Sequence, residues 1–360
     1  LLGGTRRELE RTVAQQFPFL PAGCHVQLDQ KATEIVLRSL REAIPSRWPA
    51  KVDELRSLRQ VHPDIDLAGF LDESGLELDD VYDGAKSWSD LQAAAGAPVL
   101  SEGPSETELR RAVGRLLHID DERIATYQHL LAATTAPTVD EMPERERRLV
   151  RMLVAAVTGR AITKDTSLQE ALELLWTHPQ VRAELEQLLA VLDAQVDHLH
   201  APLATHPDVP LQVHGRYSRN EILAAFGIGT GAKIAAWQSG VYEAKDANAE
   251  LFAFTLDKSS GSFSPTTRYR DYAISRTLIH WESQSITRAD SPTGLRYRHH
   301  ERDGRSIMLF TRLRADDRAF WFLGPARYLR HEGEKPMAIT WELTHALPGD
   351  LYASFAAAVG

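Results

Sequence analysis

The densest run of groups that could do chemistry in this 360-residue sequence lies between Ser262 and Arg288, SFSPTTRYRDYAISRTLIHWESQSITR. It sets hydroxyls (Ser264, Thr266, Thr267) and cations (Arg268, Arg270, Arg276, Arg288) among the rings of Phe263, Tyr269, Tyr272 and Trp281, around the acid Asp271. Short hydroxyls and guanidiniums are the groups with which phosphate oxygens are gripped. A carboxylate flanked by aromatics can accept from the exocyclic amine of cytosine while rings stack on the base. Tyr269, Asp271, Tyr272 and Trp281 are therefore the candidate base pocket. Ser264, Thr266, Thr267, Arg268, Arg270 and Arg288 are candidate DNA contacts. Ser283, Gln284 and Ser285 add a polar strand end suited to backbone or base-edge contacts. The plain alternative is an amphipathic strand with a solvated arginine face.

Other motifs are incomplete. Gly227-Ile-Gly229-Thr-Gly231-Ala-Lys233 invites a phosphate-loop reading, but Ala232 precedes the lysine and Ile234 follows it, so no hydroxyl is placed for magnesium. A helix-terminating glycine loop accounts for it better. Glu243-Ala-Lys245 has the acid-x-Lys spacing of many metal-dependent nucleases, yet no acid on a preceding strand shares the metal, and an exposed hairpin shoulder is the simpler reading. His198-Leu-His200 and His299-His300 have no Cys or carboxylate partner at metal-site spacing. Neither G-x-S-x-G nor H-E-x-x-H occurs. No catalytic residue, metal site or cofactor is expected.

The elements that must position these groups divide into two kinds. Helical periodicity covers Thr33–Ala43, Ser101–Leu117 (with Ser105 and Glu108 at capping-box spacing), Glu144–Thr158, Ser167–Trp176 and Val181–His200. Three prolines, Pro202, Pro207 and Pro210, mark a boundary near 201–215. A second capping box, Ser218 and Glu221, opens a short helix that Gly227 stops. Strand-like alternation follows: a hairpin of Val241-Tyr242 and Leu251–Leu256, then Ala273–Trp281, Leu295–His299, Ser306–Leu313, Phe320–Leu323, Arg327–Leu329 and Ala338–Leu343. Turns such as Gly324-Pro325 separate them, and Pro348–Val359 closes the sequence as a helix. The expected class is α+β, a helical N-terminal region before a barrel-like C-terminal domain. Its units are 1–100, a linker with a helical segment; 101–210, a helical domain; and 211–360, the barrel.

Charge divides at the same place. Residues 1–210 carry 22 Lys/Arg against 34 Asp/Glu, a balance of −12, and residues 211–360 carry 19 against 16, or +3. Within 262–331 the 13 basic residues, all arginine, face 7 acids. An arginine-rich and aromatic-rich half leans towards nucleic acid, whereas an acidic half repels it and suits a supporting or partner-contact role. One cysteine, Cys24, excludes an internal disulfide and a Cys-built zinc site, which fits a cytoplasmic protein. No apolar run is long enough to span a bilayer. The opening LLGGTRRELE has neither an initiator Met nor a signal-peptide pattern and reads as part of a longer chain.

Several longer motifs resemble one family. They are Tyr217-Ser218-Arg219-Asn220-Glu221-Ile222-Leu223, Phe263-Ser264-Pro265-Thr266-Thr267-Arg268-Tyr269, Asp271-Tyr272-Ala273-Ile274-Ser275, and His280-Trp281-Glu282-Ser283-Gln284-Ser285. Phe322-Leu323-Gly324, His331-Glu332-Gly333 and Lys335-Pro336-Met337 follow, with Phe17-Pro18-Phe19-Leu20-Pro21-Ala22-Gly23-Cys24 upstream. They are similar to the C-terminal part of SauUSI-like restriction enzymes, in which a phospholipase-D-type nuclease is fused to a superfamily-2 helicase motor. The resemblance implies a module reading 5-methylcytosine in double-stranded DNA by base flipping, on a methyl-base-reader, PUA-like barrel. It also implies partnership with the helicase and nuclease domains of one parent chain, itself an ATP-dependent endonuclease. Neither nuclease nor ATPase motifs occur here, so this part is expected not to be an enzyme. The rival readings are a non-specific nucleic-acid clamp and a structural scaffold for the helicase.

Overall fold

A computed structural model describes residues 47–196, 200–229, 231–234, 236–237, 239–256 and 271–359. The expected helix over 33–43, the Phe17–Cys24 motif and His198 of the His198/His200 pair lie outside the described residues.

Among the described residues, nine α-helices precede the proline-rich segment: α1 Trp48–Val61, α2 Leu67–Ser74, α3 Leu78–Val81, α4 Trp88–Ala94, α5 Glu106–Val113, α6 Arg123–Leu131, α7 Glu144–Val157, α8 Leu168–Trp176 and α9 Pro179–Gln195. Helix α7 is the hub, against which α5, α6 and α8 pack. Its first turn is polar, with Glu144 and Glu146, while Leu149–Leu153, Val154, Ala156 and Val157 are buried on nearly every side, the pattern of an enclosed helix. Helix α8 begins with the Ser167–Glu170 capping box, and Pro179 occupies the first turn of α9, where its missing N–H costs nothing.

Ser105 makes no capping bond to α5. Its own N–H donates instead to His178 Nε2 at 3.0 Å, and Glu106, not Glu108, turns back to accept from Gly103 N. Tertiary contact with His178 has displaced the local box. By contrast, the Ser218–Glu221 box forms as expected.

After the two-stranded ribbon of β1 (Ala201–Pro202) and β2 (Gln212–Val213) come β3 (Arg216–Ser218), α10 (Arg219–Ala225), β4 (Val241–Ala244), β5 (Ala249–Thr255), β6 (Tyr272–Ala273), β7 (Leu278–Glu282), α11 (Pro292–Arg298), β8 (Ser306–Arg312), β9 (Ala319–Glu332), β10 (Ala338–Leu343) and α12 (Gly349–Val359). The main sheet runs β4-β5-β8-β9-β10-β7-β6, with β3 also on β9. Among the described residues it is open, with β4 and β6 at its ends, so the barrel-like sheet expected from sequence is not a closed barrel. Strands β5 and β8 pair in parallel, and their long apolar runs are buried on both faces, as a central parallel pair requires.

One face, through Leu251, Ala253, Met308 and Phe310, joins the helical core. The other, through Phe252, Phe254, Ile307 and Leu309, joins a second core with Trp281, Tyr297, Trp341 and Phe355. The first core runs without a break from Val52 to Phe322. The proline-rich segment at 201–215 is therefore a change of secondary structure and not a gap in packing.

Three strand assignments need correction. Residues 295–298 belong to α11 and His299 caps its end, because Ser291 caps Gly294 N and Pro292 starts the helix. Phe320–Leu323 and Arg327–Leu329 are one strand, β9; Gly324, at φ +89°, makes a bulge within it and not a turn. Residues 273–281 form a hairpin, β6 to β7, whose turn is tightened by Ser275 Oγ accepting from Thr277 N and Leu278 N.

Candidate nucleic-acid interface

Of the thirteen residues proposed from sequence, Ser264, Thr266, Thr267, Arg268, Tyr269 and Arg270 lie outside the described residues. The other seven separate into three roles. Trp281 is a core residue, 4% exposed. It packs 4.6 Å from the Phe252 ring and edge-on to Tyr297. Alternation along β7 turns Ile279 and Trp281 inward and His280 outward. Tyr272 pairs with His280 across the β6–β7 ladder, and their rings stack at 4.6 Å. Tyr272 and Trp281 thus sit on opposite faces and cannot sandwich one base.

Asp271 is 3% exposed, and its Oδ1 accepts from Glu282 N at 3.0 Å. The acid, buried as a base-edge acceptor was expected to be, ties the start of β6 to the end of β7 through Oδ1. Ser283 is also buried. Its N–H donates to Met337 O at 2.9 Å, and its Oγ accepts from Met337 N at the same distance. Thr287 O accepts from Lys335 N, and Glu334 accepts from Ala289 N. The loops after β7 and after β9 are clasped together, which explains why the 280–285 and 335–337 motifs come as a pair.

Gln284, Ser285, Ile286 and Arg288 remain exposed along that clasp. Ile286 is 78% exposed, and Arg288 pairs with Asp290 at 3.3 Å. Across the outward face of the sheet, His280 stands opposite Thr340 on β10, and Thr340 opposite Arg330 on β9. Tyr272, His280, Thr340 and Arg330 thus form one row across four strands. Arg330 is exposed and has no acidic partner among the described residues. Nearby charge is otherwise matched, Arg327 pairing with Glu342 at 2.5 Å. A stacked ring pair beside an unpaired guanidinium can hold a base and a phosphate together. His280, Thr340 and Arg330 were not singled out from sequence. The signal that would have found His280 and Thr340 is the period of two in β7 and β10, read outward; Arg330 joins them only through the β9–β10 register.

His300 and Glu243, from the other motifs, are held in contacts within the fold. His300 accepts from Tyr328 N at 3.0 Å through Nε2, so Nδ1 carries the proton it donates to Arg305 O. Burial pushes its pKa down, against the opposing pull of that carbonyl and of Glu301. Glu243 pairs with Arg305 at 2.9 Å. Among the described residues no group of three or more His, Cys, Asp or Glu could hold a metal ion.

The Tyr217–Leu223 motif reaches into the helical half. Buried Arg123 donates to Asp121 at 2.6 Å, to Glu221 at 2.7 Å and to Arg216 O at 2.6 Å, while lying 4.1 Å over the Tyr217 ring. The Tyr217 hydroxyl donates to Asp121, and His118 meets Glu221 at 2.7 Å. Burial alone would raise the Glu221 pKa, but His118, Arg123 and Ser218 together bring it down to about 2.

Residues 211–355 match the family described as Domain of unknown function (DUF3427). That stretch runs from β2 into α12 and includes the whole main sheet. No curated protein matches the chain. No helix among the described residues is long and apolar enough to cross a membrane.

Proposed function

We propose that this chain is a target-recognition module that binds double-stranded DNA and reads 5-methylcytosine on an extruded base. The observation that carries the reading is the outward row of Tyr272, His280, Thr340 and Arg330, beside the clasped loop bearing Gln284, Ser285 and Arg288. In this reading a flipped base stacks on Tyr272, whose ring is already held flat by His280. Arg330 and Arg288 take flanking phosphates, and Gln284 and Ser285 face base edges or backbone. Trp281 holds the strand from within. Preference for the methyl group rests on the resemblance to modification-dependent restriction enzymes, as does partnership with a helicase and nuclease in one parent chain. The module itself binds and does not cut.

The test is equilibrium binding to matched duplexes, unmodified and 5-methylcytosine-containing, at one fixed salt concentration. The expected result is at least a tenfold preference for the methylated duplex, about 1.4 kcal/mol. Equal affinities, both falling steeply with salt, would replace this reading with a non-specific clamp.

A further inference from the structure

A cleft of about 720 Å³ opens between the helical half and the sheet. Arg115 and His118 line it from the segment after α5, and Arg318 and Trp321 line it from the loop before β9 and from β9 itself. Arg115 is half-buried and lies against Gly159, where an added Cβ would come within 2.7 Å of Nη1. That nitrogen donates to Ala156 O at 3.3 Å, near the end of α7. The charges that bear on Arg115 are two more guanidiniums, Arg318 and Arg160, and together with burial they push its pKa down. Among the described residues none of the three arginines is ion-paired to an acid.

Acids do reach the rim. Asp316 and Asp317 act on Arg312, and Asp317 accepts from Arg314 N at 2.8 Å. Asp79 comes from α3 and Asp83 from the loop after it. Burial and the two neighbouring guanidiniums bear on Arg115 more than these acids do. Like charges gathered around a half-buried site raise the energy unless an anion joins them. Planar guanidinium forks suit a phosphate's oxygens in particular.

We propose that this cleft binds a phosphate group, with Arg115 and Arg318, both in its lining, as its donors. The phosphate can come from a nucleic-acid backbone or from a free phosphate compound. The site is separate from the row on β6, β7, β10 and β9, and the proposal does not depend on methyl-base reading.

Two titrations on the full chain test it, each run on the parent, Arg318→Gln and Arg115→Gln. One follows inorganic pyrophosphate by calorimetry, and the other follows an unmodified duplex over a salt series. Arg318 is exposed and makes no described hydrogen bond, so its variant should keep the parent's melting temperature, whereas Arg115 also serves the end of α7. Saturable pyrophosphate binding, weakened about tenfold or more in both variants, is the expected result. A duplex salt slope that falls by about one in Arg318→Gln assigns the site to a nucleic-acid phosphate. An unchanged slope with lost pyrophosphate affinity assigns it to a free phosphate compound. No saturable pyrophosphate binding together with parental slopes in both variants overturns the proposal. Loss of methyl preference would sink the reader function and leave this site standing.

Discussion

Trp281 and Tyr272 carry similar rings within one hairpin, yet the pleat sends them to different work. Truncating Trp281 removes a ring from the contact with Phe252 and Tyr297. Trp281→Ala should therefore cost about 3–5 kcal/mol in stability, measured by denaturant unfolding. Tyr272→Ala, at the edge strand, should leave the unfolding midpoint within about 0.5 kcal/mol and weaken binding of the methylated duplex by roughly tenfold, the lower end of what base stacking contributes. The reverse pattern would put the base on the wrong face. His300 gives a pH signature at the same scale. It is neutral when folded, with its pKa held down, while the unfolded chain takes up a proton below about pH 6.5. Its contribution is thus complete above that pH and lost as pH falls through the lower folded value. The melting temperature should drop on acidification below about 6.5, and His300→Gln should flatten that part of the curve.

At the scale of elements, the clasp between the loops after β7 and β9 decides whether Gln284, Ser285 and Arg288 are presented together. Ser283→Ala would leave Met337 N buried without its acceptor, a loss of about 1–3 kcal/mol. Amide exchange at Met337 and Lys335 should accelerate ahead of exchange in β5 and β8; uniform exchange would mean that the clasp is not a separate unit. This pairing was only half legible in the sequence. The 280–285 and 335–337 motifs stood out, but nothing local says that residues 54 positions apart bond to each other. Helix α8 was readable because its capping box is local, and α7 because its apolar run is. The continuous β9 was not, since Gly324-Pro325 is ordinary turn chemistry and only its neighbours β8 and β10 hold it extended. Residues 295–299 alternate like a strand, and the Ser291–Pro292 start of α11 outweighs that alternation. The sheet's openness escaped for the same reason: strand spacing fixes how many strands there are, not whether the last meets the first. As for the site, Tyr272 was identifiable from its type, whereas Arg330 becomes its neighbour only through two strand registers.

For the whole molecule, the question is whether an acidic helical half and an arginine-rich sheet behave as one body. The unbroken first core says that they do, and the Arg123 network fastens the seam with charges fully out of water. Such a network is a weak source of net stability but costly to break from one side. Arg123→Met leaves Asp121 and Glu221 buried without their cation and should cost about 3–5 kcal/mol. Glu221 adds a second acid sensitivity, because its folded pKa of about 2 lies below the ordinary carboxylate value. Its contribution is present above roughly pH 4.5 and is lost as pH falls towards the folded value. Calorimetry on the chain should accordingly show one transition at neutral pH. Arg123→Met should lower that transition as a whole, because its partners Glu221 and Asp121 belong to different halves of the same core. Two resolved transitions in the parent would mean that the seam at 201–215 separates two independent bodies, and the cleft lined by Arg115 and Arg318 would then have walls free to move apart.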